Sequence, residues 1–316
     1  MTIPVWFQDW YNNGSGGIAA AAQTYIDRVE ADGGAVESIG CVPSAVWNWV
    51  APSFIGLLDL FPNAAAAYSL RKLRTAYNGS AIRVRKEVSA VSSETDIGFL
   101  VDGSLDTVSL LAFASDADSG DVFVVTWYDQ SLSNDATQGT ASAQPKIVSS
   151  GAVITEGTSA KPAIEFEHSG TRTPLNFTSP LIIGTSDFMI PVVAKNKTSD
   201  TNNYIDSGTN GLDLLYISNK PTIAESGVGQ ILQQASTVNN TDIYLINFLR
   251  HSGNMYSYLN GGSEVSTSDS TNLSQQMGFI GDDEVVVQEV IFYFSNQSSN
   301  RTGIETNINT FYSIYP

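Results

Sequence analysis

The chain has a single cysteine, Cys41, so no disulfide can close within it and a stapled framework of the kind found in small secreted domains is excluded. Assembly in a reducing cytosol is the expectation. Positive charge is scarce too: 15 lysines and arginines stand against 32 aspartates and glutamates, a formal net charge of −17. A field of that sign repels phosphate backbones and anionic lipid, which excludes nucleic acid as a partner. No apolar run reaches the roughly 18 residues that a membrane helix needs. The most apolar stretch, Cys41 to Phe61, is broken by Pro43, Pro52 and Asp59. Met1 to Trp10 has neither a basic n-region nor an apolar h-region, so no cleaved secretion signal is expected. Histidine occurs only at His168 and His251, too few for a zinc cage without carboxylate help. A Gly-Lys-Ser/Thr phosphate loop, internal repeats and heptads are missing as well.

What is present divides into zones. Residues 1–63 hold a loop signature, Asn12 to Gly17, and an Ala-rich stretch from Ile18 to Ala31 that reads as a helix ended by Gly33-Gly34. Trp6, Phe7, Trp10, Trp47, Trp49, Phe54 and Phe61 load this zone with aromatics, which suits either a helical preface docked on the main core or an attachment segment for self-association or for other proteins. From residue 64 to 316 the texture is short β-branched and aromatic runs, such as Val122 to Trp127 and Ile243 to Phe248, separated by Gly, Asn, Asp and Ser. That pattern indicates a mostly β fold, an antiparallel sandwich or jelly roll. Alternation places Phe123, Val125, Trp127, Ile164, Phe166, Ile246, Phe248, Ile291 and Tyr293 in its interior. Tyr256 to Leu259 leading into Asn260-Gly261 reads as a hairpin. Ser299-Asn300 then caps a short C-terminal helix with Ile304, Ile308, Phe311 and Tyr312 on one face.

Three further constellations have plain readings. Asp116, Asp118 and Asp121 are spaced like the start of a calcium loop but lack its later bidentate glutamate, so an acidic turn is the first reading and calcium the second. Arg71, Lys72, Arg74, Arg83, Arg85 and Lys86 form the one basic concentration, read as paired within the chain, with an acidic neighbouring subunit as the alternative. Tyr128-Asp129-Gln130 ends an apolar strand, where Asp and Gln side chains fix a turn by bonding loop amides.

The run Tyr68-Ser69-Leu70-Arg71, then Ala76 to Gly79, Ile82 to Arg85, Asp96 to Gly98, Thr126 to Ser131, Asn134 to Gln138 and Gln144 to Val148 resembles the catalytic domain of glycoside hydrolase family 54, the α-L-arabinofuranosidase B family. The likeness returns at Gly278 to Asp282 and Glu289 to Phe294. It implies a concanavalin-A-like sandwich and a retaining glycosidase, which needs two carboxyl groups about 5–5.5 Å apart. By resemblance, Asp282 stands at the acid/base position and Asp213 at the nucleophile, where the family has a glutamate. The family's adjacent cysteine pair has no counterpart in Asn202 to Asp206. Those two departures point away from catalysis. Asp206, Tyr204 and Asp283 are then the candidate glycan contacts. Sandwich domains with this Tyr-Asp-Gln-Ser block also resemble ones in predicted phage structural proteins.

The expectation is therefore a non-catalytic virion structural or surface-display protein (capsid decoration, spike, fibre or tail component), assembled in the host cytoplasm, whose lectin-like sandwich meets host-surface glycans. The alternatives are an arabinofuranosidase-like hydrolase and a secreted, extracellular glycan-binding module. No cofactor is expected.

Overall fold

The computed structural model describes residues 54–316 apart from 168–171, 199–200, 207–210, 226–227, 263, 270–271 and 282. The expected N-terminal helix, Cys41, His168 and Asp282 lie outside the described residues. The described chain is an antiparallel β-sandwich. One layer runs through Glu264–Ser268, Asn254–Leu259, Tyr244–His251, Phe188–Asn196 and Val285–Phe292. Ala66–Ser69 and Ile164–Glu165 share the far side of the 285–292 strand, and Lys146–Ser149, Val122–Trp127, Ile82–Val88 and Val91–Ile97 follow. The facing layer runs through Gly229–Gln233, Lys220–Glu225, Leu212–Ile217, Asn202–Asp206, Leu273–Ile280 and Leu175–Gly184. Ala136–Thr137 links the last of these to the end of the 122–127 strand, so the sheet continues from one layer into the other. The expected hairpin is present, with Asn260 at φ 51° and Gly261 at φ 69°, the left-handed values a tight reversal requires.

Two apolar clusters account for the long hydrophobic runs in the central strands. Ile190, Val192, Ile246, Phe248, Val287 and Phe292 face the sandwich interior. The other face of the same strands offers Met189, Val193, Leu245, Leu249, Ile291 and Tyr293 to a second cluster, covered by Leu57, Leu58, Ile304, Ile308 and Tyr312. A sheet buried on both faces loses the alternation that marks a half-exposed strand. Ile291 and Tyr293 are thus buried, but under the C-terminal helix rather than between the sheets. Phe123 and Val125 are a second correction: Val122 and Val124 are the inward residues, and Phe123 and Val125 are half-buried on the opposite face. The register with the 82–88 strand slips by one residue between Val124 and Thr126, and this bulge returns Trp127 to the interior, on the face opposite to Phe123 and Val125. Trp127, Ile164, Phe166, Ile246 and Phe248 are interior as expected.

The C-terminal helix spans Arg301–Tyr312 and buries Ile304, Ile308 and Tyr312 one turn apart. Asn300 holds the N-cap position, but its amide bonds Gln297 Oε1 instead of the helix backbone. Beneath the helix Arg71 makes a bidentate pair with Glu289, 2.7 and 2.9 Å, while Ser69 Oγ donates to Glu289 Oε2 and Arg71 also donates to Asn307. Burial works against the Arg71 cation, yet Glu289 beside it raises its pKa above the usual arginine value. Most of the other basic residues are paired as well: Arg83 with Glu94 and Asp96, Arg85 with Glu87, and Lys86 with Asp116. Asp116 thus goes to Lys86, Asp118 accepts from Ser89 N, and Asp121 accepts from Ser150 N and pairs with Lys146. The three carboxylates therefore hold separate loops, and no group of three metal-ligating residues converges among the described residues.

The short helix Leu57–Leu60 belongs to this body. Asp59 accepts from Gly56 N, Thr75 N and Thr75 Oγ1, and Leu57 and Leu58 are buried in the second cluster. Packing therefore begins several residues ahead of the boundary after residue 63 suggested by composition. No helix among the described residues is long and apolar enough to cross a membrane.

Candidate functional site

The block that carries the family resemblance turns out to be a clamp. Asp129 is buried, and its carboxylate accepts from Ala67 N, Ser131 N and Ser131 Oγ on one oxygen and from Leu132 N and Asn134 N on the other. Gln130 spans the neighbouring chain: its Oε1 accepts from Leu73 N, and its Nε2 donates to the carbonyls of Ser69 and Arg71. Asn134 bonds both backbone groups of Ser179, which ties the 136–137 link to the facing layer. These side chains are consumed by backbone groups. Their chemistry fixes the corner where the sheet passes from one layer to the other.

The sequence-derived site residues gather at a different place, along the 202–206 and 212–217 strands. Leu212, Leu214 and Tyr216 point inward, which turns Asp213 to the outer face. Asn203 pairs with Leu215 and Ile205 with Leu214, so a bulge falls on Tyr204. The bulge buries Tyr204 and Ile205 together and leaves Asn203 and Asp206 facing outward. Tyr204 is fully enclosed, its ring 5.1 Å from that of Tyr216, and burial pushes its hydroxyl pKa well above the ordinary tyrosine value. It is a core residue, and no glycan can reach its ring. Asp206 and Asp283 are nearly enclosed and hold the same neighbour. Asp206 Oδ2 accepts from Asn203 Nδ2 at 2.5 Å, and Asp283 Oδ2 accepts from Asn203 N at 3.2 Å. Two carboxylates thus fix one asparagine.

Asn203 lines an open cleft of about 510 Å³ with Asn202, Asp283, Glu284, Thr198 and Arg172. A ladder of amides supports its floor, because Asn202 Nδ2 donates to Asn196 Oδ1 and Thr198 Oγ1, and Asn196 Nδ2 donates to Asn219 Oδ1. On the rim Lys197 pairs with Glu165 at 2.8 Å and Glu284 at 3.2 Å. Burial opposes the Lys197 cation, but the two glutamates raise its pKa above the usual lysine value. Asn203 Oδ1 is shut off from solvent and accepts no hydrogen bond among the described residues. A buried acceptor left open costs about 1–3 kcal/mol.

Gly281 sets the chain on this rim. It holds φ at 65°, and a Cβ there would sit 2.1 Å from the Phe166 ring, so only glycine fits. Asp213 does not line the cleft. It lies two residues along its strand from Leu215, the partner of Asn203, or about 7 Å away along the strand. The fold therefore brings Asp206 and Asp283 together on Asn203, buries Tyr204 and leaves Asp213 beside the cleft. Asn203 itself was missed by the sequence reading. The one signal for it was the crowding of Asn196, Asn202, Asn203 and Asp206 within eleven positions.

No family model matches the chain, so the family 54 likeness rests on the residues that carry it. No curated protein matches either. Among solved structures the chain is similar to a Trypanosoma rangeli sialidase in complex with sialic acid, at 13% identity and TM-score 0.39, over 58% of this chain and 31% of that one. It is also similar to the binding domain of botulinum neurotoxin DC in complex with SialylT, at 12% identity and TM-score 0.36, over 48% and 42%. A third likeness is to the binding domain of Paraclostridial Mosquitocidal Protein 1, at 11% identity and TM-score 0.38, over 48% and 44%. The chain spans less than half the length of each, and likenesses this remote carry no argument about function.

Proposed function

We propose that this chain is a non-catalytic, lectin-like sandwich that binds glycan in the cleft around Asn203. The observation that carries the reading is the polar lining of the open cleft, where Asn203 is clamped by Asp206 and Asp283 and stands with Asn202, Thr198, Arg172 and Glu284. Sugar hydroxyls both donate and accept, and the amides, hydroxyls, carboxylates and guanidinium around the cleft offer both roles. Fixing the amide in advance lowers the ordering cost of binding. Titration calorimetry of neutral oligosaccharides is the test. Asn203→Ala is expected to weaken binding about tenfold, or 1.4 kcal/mol, with no loss of the cooperative melt. Equal affinity in wild type and variant, or no binding across a broad glycan panel, sinks the reading.

The finer part of the proposal is display by a virion structural or surface protein, with residues 1–63 as the attachment segment. Supporting it are the surface of few charges, the single cysteine and the phage-like Tyr-Asp-Gln-Ser block. Mass spectrometry of purified particles would decide it. Hydrolysis is the second reading, and the position of Asp213 outside the cleft lining counts against it. Turnover of an aryl arabinofuranoside that disappears in Asp213→Asn and Asp282→Asn would reinstate it.

A further inference from the structure

A second surface, remote in character from the polar cleft, is apolar. Ten large hydrophobic residues are exposed among the described residues, and four of them fall between positions 100 and 111: Leu100 at 41%, Val101 at 68%, Val108 at 72% and Leu111 at 39%. Such clustering is what distinguishes a docking patch from scattered surface leucines. The helix Thr107–Ala114 explains the concentration. It buries Leu110 and Ala114 on the body, yet presents Val108 and Leu111 on its other side. No charged residue occurs from Thr107 to Ser115. A helix apolar on both sides is normally covered on both. Leu100, Leu105 and Leu111 continue into a groove of about 320 Å³ that also takes in Leu70, Val153 and Phe311.

The rim gives the sign of the missing cover. Asp106 caps the helix through Ser109 N and Ser109 Oγ, and Asp102 accepts from Ser104 N and Ser104 Oγ, so both carboxylates are held in place beside Leu100, Val101 and Val108. The one cation on the groove wall among the described residues, Lys161, sits over the Phe311 ring at 4.3 Å. A second copy of this chain would set acidic rim against acidic rim and bring two bodies of net charge −17 together. An anionic membrane meets the same repulsion.

We infer that the 100–111 face docks a partner protein through an apolar segment flanked by lysine or arginine. Apolar side chains fill the groove, and the flanking cations meet Asp102 and Asp106. This surface shares no lining residue with the glycan cleft and stands without it.

The test uses the full chain and a short synthetic amphipathic peptide with a leucine face and lysine flanks, with a glutamate-flanked peptide as control. Calorimetry should detect the lysine peptide. Its affinity should fall about tenfold in Val108→Asp and in Leu111→Asp, and again when salt shortens the screening length to a few ångströms. Both positions are exposed, so the melts of the variants should match the parent. A double substitution, Asp102→Asn with Asp106→Asn, should weaken the lysine peptide and spare the leucine contact. The inference is overturned by no binding of the lysine peptide, by equal binding of the glutamate peptide, by unchanged affinity in Val108→Asp, or by a dimer of the chain that Val108→Asp dissolves. Binding of neutral vesicles that Leu111→Asp abolishes also overturns it, since lipid would then be the occupant.

Discussion

Asp129 accepts from five donors, of which Ala67 N lies 62 positions away and Asn134 N across the turn. Alanine there leaves buried amides unbonded at about 1–3 kcal/mol each, so Asp129→Ala should lose at least about 3 kcal/mol in denaturant unfolding. Asp129→Asn should be nearly as harmful, because its NH₂ would face donors. A change under about 1 kcal/mol in either would show that the clamp is dispensable. Asp59 gives a pH prediction. Burial pushes its carboxyl pKa upward, but the bonds from Thr75 and Gly56 and the nearby Arg74 leave it lowered overall. A depressed folded value means the contribution is present above the unfolded carboxylate pKa of about 3.9 and is lost as pH falls through the folded one. Asp59→Asn should therefore flatten the acid limb of the stability profile below about pH 4. The structural role of Asp129 and Gln130 was legible because short polar side chains at a strand end have few other uses. The Asn203 clamp was not, since its two carboxylates are 80 and 3 positions away and only the fold joins them.

At the scale of elements, the strands were legible and their phases were not. Two bulges decide the phases. One, near Val125, puts Phe123 and Trp127 on opposite faces, and the other, at Gln288, lets Val287 and Val290 both face inward. A bulge adds one residue to one strand and leaves no mark in hydropathy. The C-terminal helix was legible through its i, i+4, i+8 apolar face, whereas its tie to the sheet was hidden. That tie is the buried Arg71–Glu289 pair, with the Tyr312 hydroxyl 3.2 Å from Glu289 Oε2. Removing one member strands a buried charge, which costs about 3–5 kcal/mol. Glu289→Gln should therefore destabilise the protein at least as much as Ile304→Ala, expected at about 2–5 kcal/mol. Arg71→Met with Glu289→Leu should recover much of the loss. Unfolding free energies of the three variants check the order, and a recovered stability no better than Glu289→Gln alone would refute the pairing argument.

For the whole molecule, the question left by composition is where the folded body starts. Composition places the change near residue 63, after Pro62-Asn63 and shortly before the strand-like runs that begin at Tyr68. Packing places it earlier: Leu57 and Leu58 are buried against the C-terminal helix and the 189–193 face of the sheet, and Tyr293 OH donates to the Phe61 carbonyl. Asp59 meanwhile holds Thr75. A fragment of residues 54–316 keeps all of these contacts. A fragment of residues 64–316 loses two buried leucines, at about 2–5 kcal/mol each if truncated singly, and uncovers part of the second cluster. That is comparable to the whole stability of many domains, about 5–15 kcal/mol. The 54–316 fragment should therefore melt cooperatively, while 64–316 should melt at least 10 °C lower, by about 4–8 °C per kcal/mol in small domains and less in one of this size, or fail to fold. Scanning calorimetry on both fragments decides the matter. Equal melting temperatures would return the boundary to residue 63 and make the Leu57–Leu60 turn an accessory. With the boundary near residue 54, the attachment proposal for the preceding aromatics also gains a clean test, since 54–316 should remain folded and still fail to join the particle.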